Sequence, residues 1–105
     1  MAAVAVLARF ETKPGTEKDM EAFFRSGVAI VETQPATTMW FAFRIGPTTY
    51  GAFATFATEA DRNALLSAGG PKLSTQFADL FARPPTFEKA DVLESRVHGL
   101  TNKPA

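Results

Sequence analysis

The chain has 105 residues, too few for two units that each bury a core, so one domain is expected. Eleven Lys and Arg balance eleven Asp and Glu, giving a formal net charge of +0, and so no long-range field to draw in nucleic acid or an anionic membrane surface. The absence of cysteine excludes disulfides, thiolate nucleophiles and thiolate metal sites, which leaves any redox chemistry to a substrate or a bound cofactor. Met1 to Leu7 are apolar but lack the basic stretch of a signal peptide. No apolar run approaches the roughly 20 residues that cross a bilayer, and a cytoplasmic protein is expected.

Residues 3–11 are short, apolar and bounded by the turn signal Lys13-Pro14-Gly15, which predicts a first strand. Alternation gives it an apolar face (Val4, Val6, Ala8, Phe10) and a mixed one (Ala5, Leu7, Arg9, Glu11). Thr16 before Glu17, Lys18 and Asp19 has the pattern of a capping box. Met20, Phe23, Phe24, Gly27, Val28 and Val31 then recur at spacings of three and four, a helical stripe that Pro35 ends by Gln34.

Two β-branched and aromatic runs follow, Thr37 to Ile45 and Tyr50 to Ala57, joined across Gly46-Pro47 as a hairpin. Period two puts Thr38, Trp40, Ala42 and Arg44 on one face, and Met39, Phe41, Phe43 and Ile45 on the other. Both faces are largely apolar, so the sheet needs cover on both sides, whereas one layer of helices covers one. Thr58-Glu59-Ala60-Asp61 is a second capping-box pattern, opening a helix with Leu65 and Leu66 that Gly69-Gly70 breaks. Pro71 suits the first turn of a further helix, with Leu73, Phe77, Leu80 and Phe81 on one stripe. After Arg83-Pro84-Pro85, Thr86 to Val97 reads as the last strand, and residues 99–105 as a flexible C-terminal tail behind a single domain over 1–98.

The order strand, helix, strand, strand, helix, strand is the split βαβ arrangement: an α+β, ferredoxin-like βαββαβ fold with a four-stranded antiparallel sheet. The opening strand with Lys13-Pro14-Gly15-Thr16-Glu17, the run Trp40 to Pro47, the strand Tyr50 to Phe56, Thr58-Glu59-Ala60-Asp61-Arg62, and the Pro84-Pro85 lead into the last strand carry a further signal. Over residues 3–97 the chain resembles the antibiotic biosynthesis monooxygenase-like family. The resemblance implies a homodimer, a dimeric α/β barrel in which two sheets pack face to face. It also implies a cofactor-independent monooxygenase acting on a small aromatic phenol or quinol with molecular oxygen. A non-catalytic small-molecule-binding or stress-associated dimer, or a small-metabolite isomerase, is the alternative. Many relatives carry a histidine in the helix after the third strand, where this chain reads Arg62-Asn63-Ala64-Leu65-Leu66.

An oxygenase without flavin or metal has to turn its substrate into an electron-rich anion inside a dry pocket, which calls for a proton acceptor, an anion-stabilising donor and aromatic walls. The residues expected to act are Arg44, Tyr50 and Asn63, with Trp40, Phe41, Phe43, Phe53 and Arg9 around the substrate. Each has a packing or solvent-facing reading beside it: Trp40 as a core or interface aromatic, Arg44 as an ion-paired residue near a strand end, Tyr50 as a rim contact, Asn63 as an exposed helix residue. Arg9 has the alternative of a salt bridge to Glu11, Glu88 or another carboxylate. His98, the lone histidine, sits at a chain end, and scattered carboxylates give no metal site.

Overall fold

Apolar residues at every second position carry the first strand, β1, over Val4–Glu11 in the computed structural model, which describes residues 3–69, 75 and 77–99. The chain reverses through Pro14 and Gly15, and Gly15 has a φ of +81° that a side chain would strain. Helix α1 runs over Glu17–Glu32 and buries Met20, Phe23 and Gly27. Thr16 does not cap it as expected: its hydroxyl turns back to donate to the Lys13 carbonyl (2.7 Å), so the first turn relies on the acidic Glu17 and Asp19 against the helix dipole. The helix tightens at its end, with Thr33 N–H on Ile30 O and Gln34 N–H on Val31 O, one residue before Pro35.

Strands β2 (Thr37–Arg44) and β3 (Thr49–Phe56) form the expected hairpin. A bulge between Thr37 and Met39 removes Thr38 from the side of Trp40, and the Thr38 hydroxyl instead meets the Thr55 hydroxyl at 2.7 Å. Helix α2 follows over Glu59–Ala64, with the Thr58 hydroxyl accepting from the Asp61 N–H (3.1 Å), and continues into a π-helical turn over Leu65–Gly69. Of the expected further helix, Pro71 and Leu73 lie outside the described residues; Ala78–Leu80 form a short 3-10 turn. Phe81 then bridges to Thr12.

The last strand, β4, covers Thr86–Asp91 and is shorter than the expected Thr86 to Val97. Among the described residues its only neighbour is β1, which begins at Val4 opposite Asp91, so beyond the Val92 N–H on Ala3 O no partner backbone remains for the ladder. Of the expected tail, residues 100–105 lie outside the described residues.

The sheet order is β2-β3-β1-β4, all antiparallel, with the helices over one face: the α+β ferredoxin-like arrangement. The covered face takes even-numbered residues from β1, β2 and β3. Phe10, Phe23 and Phe81 pack there with ring centroids 5.2–5.7 Å apart. Burying each such ring contributes about 1.5–3 kcal/mol, which makes this aromatic knot a main tie between α1 and the sheet. The opposite face carries Leu7, Met39, Phe41, Phe43 and Phe53 and, among the described residues, no helix. Among the same residues no helix is long and apolar enough to cross a membrane.

Candidate functional site

A hollow exists under α1 because the sheet beneath it is paved with small side chains. The register sets Ala52 beside Ala8 across β3 and β1, with the exposed Ala42 of β2 next in that row, and the adjoining row runs Trp40, Ala54, Val6. Above them α1 presents Gly27, which has no side chain to fill the space. The result is an apolar cavity of ≈ 80 Å³ walled by Trp40, Phe24, Phe23, Phe87 and the two leucines Leu65 and Leu66. Among its lining residues only Trp40 carries a polar side-chain atom, the indole N–H.

Phe24 closes one end of this cavity. Its ring stands 6.3 Å from that of Trp40 and 6.0 Å from that of Tyr50. Beyond it, between the first turns of α1 and the edge strand β2, lies a more open hollow of ≈ 240 Å³ bordered by Glu17, Glu21, Ala42, Arg44 and Tyr50.

The expected site residues divide between the two faces of the sheet. Trp40, Arg44 and Tyr50 are on the helix side, as the alternation of β2 requires. The Arg44 guanidinium lies 5.4 Å from the centre of the Tyr50 ring. Its Nε donates to Gly46 O (3.0 Å) and its Nη2 to Pro47 O (2.8 Å), and Nη2 is 3.8 Å from Glu17 Oε1. Arg44 therefore clamps the β2–β3 turn that Gly46-Pro47 makes. Tyr50 is buried at the border of the outer hollow.

Phe41, Phe53 and Arg9 are on the other face and line neither hollow, whereas Phe43, which alternates to that face too, borders the outer hollow beside Arg44 and Tyr50. Arg9 stands opposite Gly51 and Thr86 and is exposed. It makes none of the salt bridges expected for it among the described residues; Glu11 accepts from the Thr49 hydroxyl (2.9 Å). Asn63 is exposed on α2, away from the cavity lining, and its carbonyl accepts from the Ser67 hydroxyl. His98 is exposed. Among the described residues no group of three or more His, Asp or Glu is arranged to hold a metal.

Sequence reasoning missed Arg62 and Phe24. Arg62 is 5% exposed and donates from Nη1 to Ala5 O (3.4 Å) and Ala90 O (3.2 Å), tying α2 to the β1–β4 pair. Its Nη2 is 3.6 Å from Glu59, and its buried Nε has no partner among the described residues. The signal was present: Arg62 is three and four residues ahead of Leu65 and Leu66, on their apolar stripe. In the sequence Phe24 is one more residue of the α1 stripe, and its place between the two hollows depends on Gly27 and Ala42 leaving room on either side.

This architecture recurs in solved structures. A protein named as an antibiotic biosynthesis monooxygenase matches with a TM-score of 0.73 at 14% identity, covering 87% of this chain and 99% of that chain. SnoaB, a cofactor-independent oxygenase from Streptomyces nogalater, matches with a TM-score of 0.66 at 18% identity over 93% and 98% of the two chains. At these identities the likeness is one of fold, and the fold is that of the antibiotic biosynthesis monooxygenase-like proteins. NE2512 from Nitrosomonas europaea, a protein of unknown function, is 35% identical with a TM-score of 0.82, over 94% of this chain and 97% of that chain. The chain belongs to one family with it. No protein-family model matches the sequence, and the curated proteins yield no match.

Proposed function

We propose that the chain works as a homodimer that binds a small aromatic molecule of the phenol or quinol type under α1 and oxidises it with molecular oxygen, without a cofactor. The observation that carries this reading is the cavity walled by the Trp40 indole, whose lining side chains are otherwise apolar. Such a chamber favours a flat ring, excludes water, and makes any charge developing on the ring expensive unless it is passed on quickly. For a substrate with a reactive ring methylene, one oxygen atom of dioxygen becomes the carbonyl oxygen of the product. The other leaves as water with both methylene hydrogens, so the electrons lost by carbon equal those gained by dioxygen.

A second copy of the chain is the fitting cover for the helix-free face. Leu7, Met39, Phe41 and Phe53 are only half-buried there, and Phe43 is 38% exposed. Residues 92–97 run beside that face and hold out Leu93 (87% exposed) and Val97 (53%), which gain nothing from solvent. An antiparallel sheet apolar on both sides gains most from a twin of the same character.

One observation favours a rival, a binding protein without turnover: no carboxylate or imidazole lines the cavity among the described residues. Oxygen-electrode traces with hydroquinones and anthrones separate the two. Uptake above buffer supports the oxygenase; saturable quenching of Trp40 emission with no uptake leaves the binding protein and rejects the enzyme.

A further inference from the structure

The apolar cavity is too small for the ligand proposed for it. An apolar cavity of about 150 Å³ holds one benzene ring, and ligand pockets begin at about 300 Å³; the space beside Trp40 is ≈ 80 Å³. The missing volume lies on the far side of one ring. The outer hollow of ≈ 240 Å³ occupies the same gap between α1 and β2, and among the described residues Phe24 alone borders both spaces. Glu17, Glu21 and Phe24 follow one another at helical spacing, so the face of α1 that roofs the outer hollow leads directly to the divider.

The polar groups around the outer hollow differ in how far they are engaged. Arg44 is committed to Gly46 O, Pro47 O and Glu17. Glu21 has neither an ion pair nor a hydrogen bond among the described residues. With two carboxylates against one engaged guanidinium, a ligand anion is repelled and a neutral O–H donor is matched.

Building on the reading above, we propose that the two hollows are one binding site joined when the Phe24 ring swings aside, and that it takes a flat hydroxyarene of two or three rings. The rings lie against Trp40, and the hydroxyl donates to the Glu21 carboxylate beside Tyr50. Glu21 is then the group that selects for a hydroxyl, and Phe24 the one that sets access.

Trp40 is the single tryptophan, so its emission, corrected for each probe's own absorbance and fluorescence against free tryptophan, reports occupancy. Titration of the full chain at neutral pH with 2-naphthol and with 2-methoxynaphthalene, which cannot donate, tests the proposal. The naphthol is expected to bind about tenfold more tightly, and Glu21→Ala to remove that preference by weakening the naphthol alone. Phe24→Leu is expected to speed association of both probes. Equal affinities for the two probes, or a Glu21→Ala loss shared by both, overturn the hydroxyl selection; an unchanged association rate in Phe24→Leu overturns the divider. Glu21 is exposed, so its variant keeps the fold and that arm stands even if Phe24→Leu does not fold. Should neither probe alter Trp40 emission in any of the proteins, the cavity reading itself fails, an outcome distinct from the first two.

Discussion

The ring of Phe43 occupies the space that a side chain at Gly51 would need. A Cβ on Gly51 would come to 2.5 Å from Phe43 Cε1 and 2.6 Å from Cζ, with the Ala8 carbonyl oxygen 3.2 Å away. The glycine is thus required by a neighbour rather than by its backbone, and the neighbour is part of the helix-free face. Gly51→Ala is expected to push the Phe43 ring outward and to cost about 1–2 kcal/mol, the lower part of the usual overpacking range because the ring is free to move. Urea unfolding measures the loss, and Gly51→Ala in a Phe43→Ala background should recover most of it.

Arg62 makes a second test of packing against charge. Its guanidinium adds donors to two carbonyls in the β1–β4 pair while its Nε stays buried without a partner among the described residues. Arg62→Met keeps the stem and removes the charge-assisted bonds, so a net loss of about 1–3 kcal/mol in urea unfolding, at unchanged m, is expected. Arg62→Lys should not restore the loss, since one ammonium does not reproduce the fork.

The two capping patterns predict unequal losses. Thr58→Ala removes a side-chain acceptor from the Asp61 N–H and should cost about 1 kcal/mol. Thr16→Ala removes a bond to Lys13 O outside the helix and should stay within about 0.5 kcal/mol. Thermal unfolding of both variants side by side gives the comparison; equal losses would show that Thr16 caps α1 in solution.

If a second copy covers the helix-free face, Leu93→Asp with Val97→Asp should split it. Both residues are exposed in the single chain, so the double variant retains the fold. Sedimentation velocity at micromolar concentration is expected to show the wild type as a dimer and the variant as a monomer with an unchanged circular dichroism spectrum. A monomeric wild type would remove the proposed assembly.

Local chemistry wrote most of this fold openly into the sequence. The alternations of β1 and β2, the stripe of α1 and the hairpin across Gly46-Pro47 are short-range patterns, and they appear with bounds moved by a residue or two. The end of β4 was hidden, because it depends on where β1 starts, far away in the chain. The site was legible only in part. Parity correctly joined Trp40 to Arg44, and the same parity separates both from Phe41 and Phe43. What parity does not reveal is which side encloses a hollow, since that arises from Ala8, Ala52 and Ala54 meeting across β1 and β3. Arg62 and Asn63 show the same limit on a helix, where one step of about 100° turns a buried clamp into a solvated amide.

Those alanines also bear on how the molecule responds to compression. Unfilled space is surrendered when a chain unfolds, so hydrostatic pressure favours the unfolded form in proportion to it. The ligand-free protein is therefore expected to melt at lower pressure than its Ala52→Leu variant, in which the extra methyl groups occupy the hollow, and a bound aromatic should raise the midpoint in the same direction. High-pressure fluorescence of the lone indole would follow both transitions. A squeezable interior of this kind exchanges mechanical firmness for unfilled space.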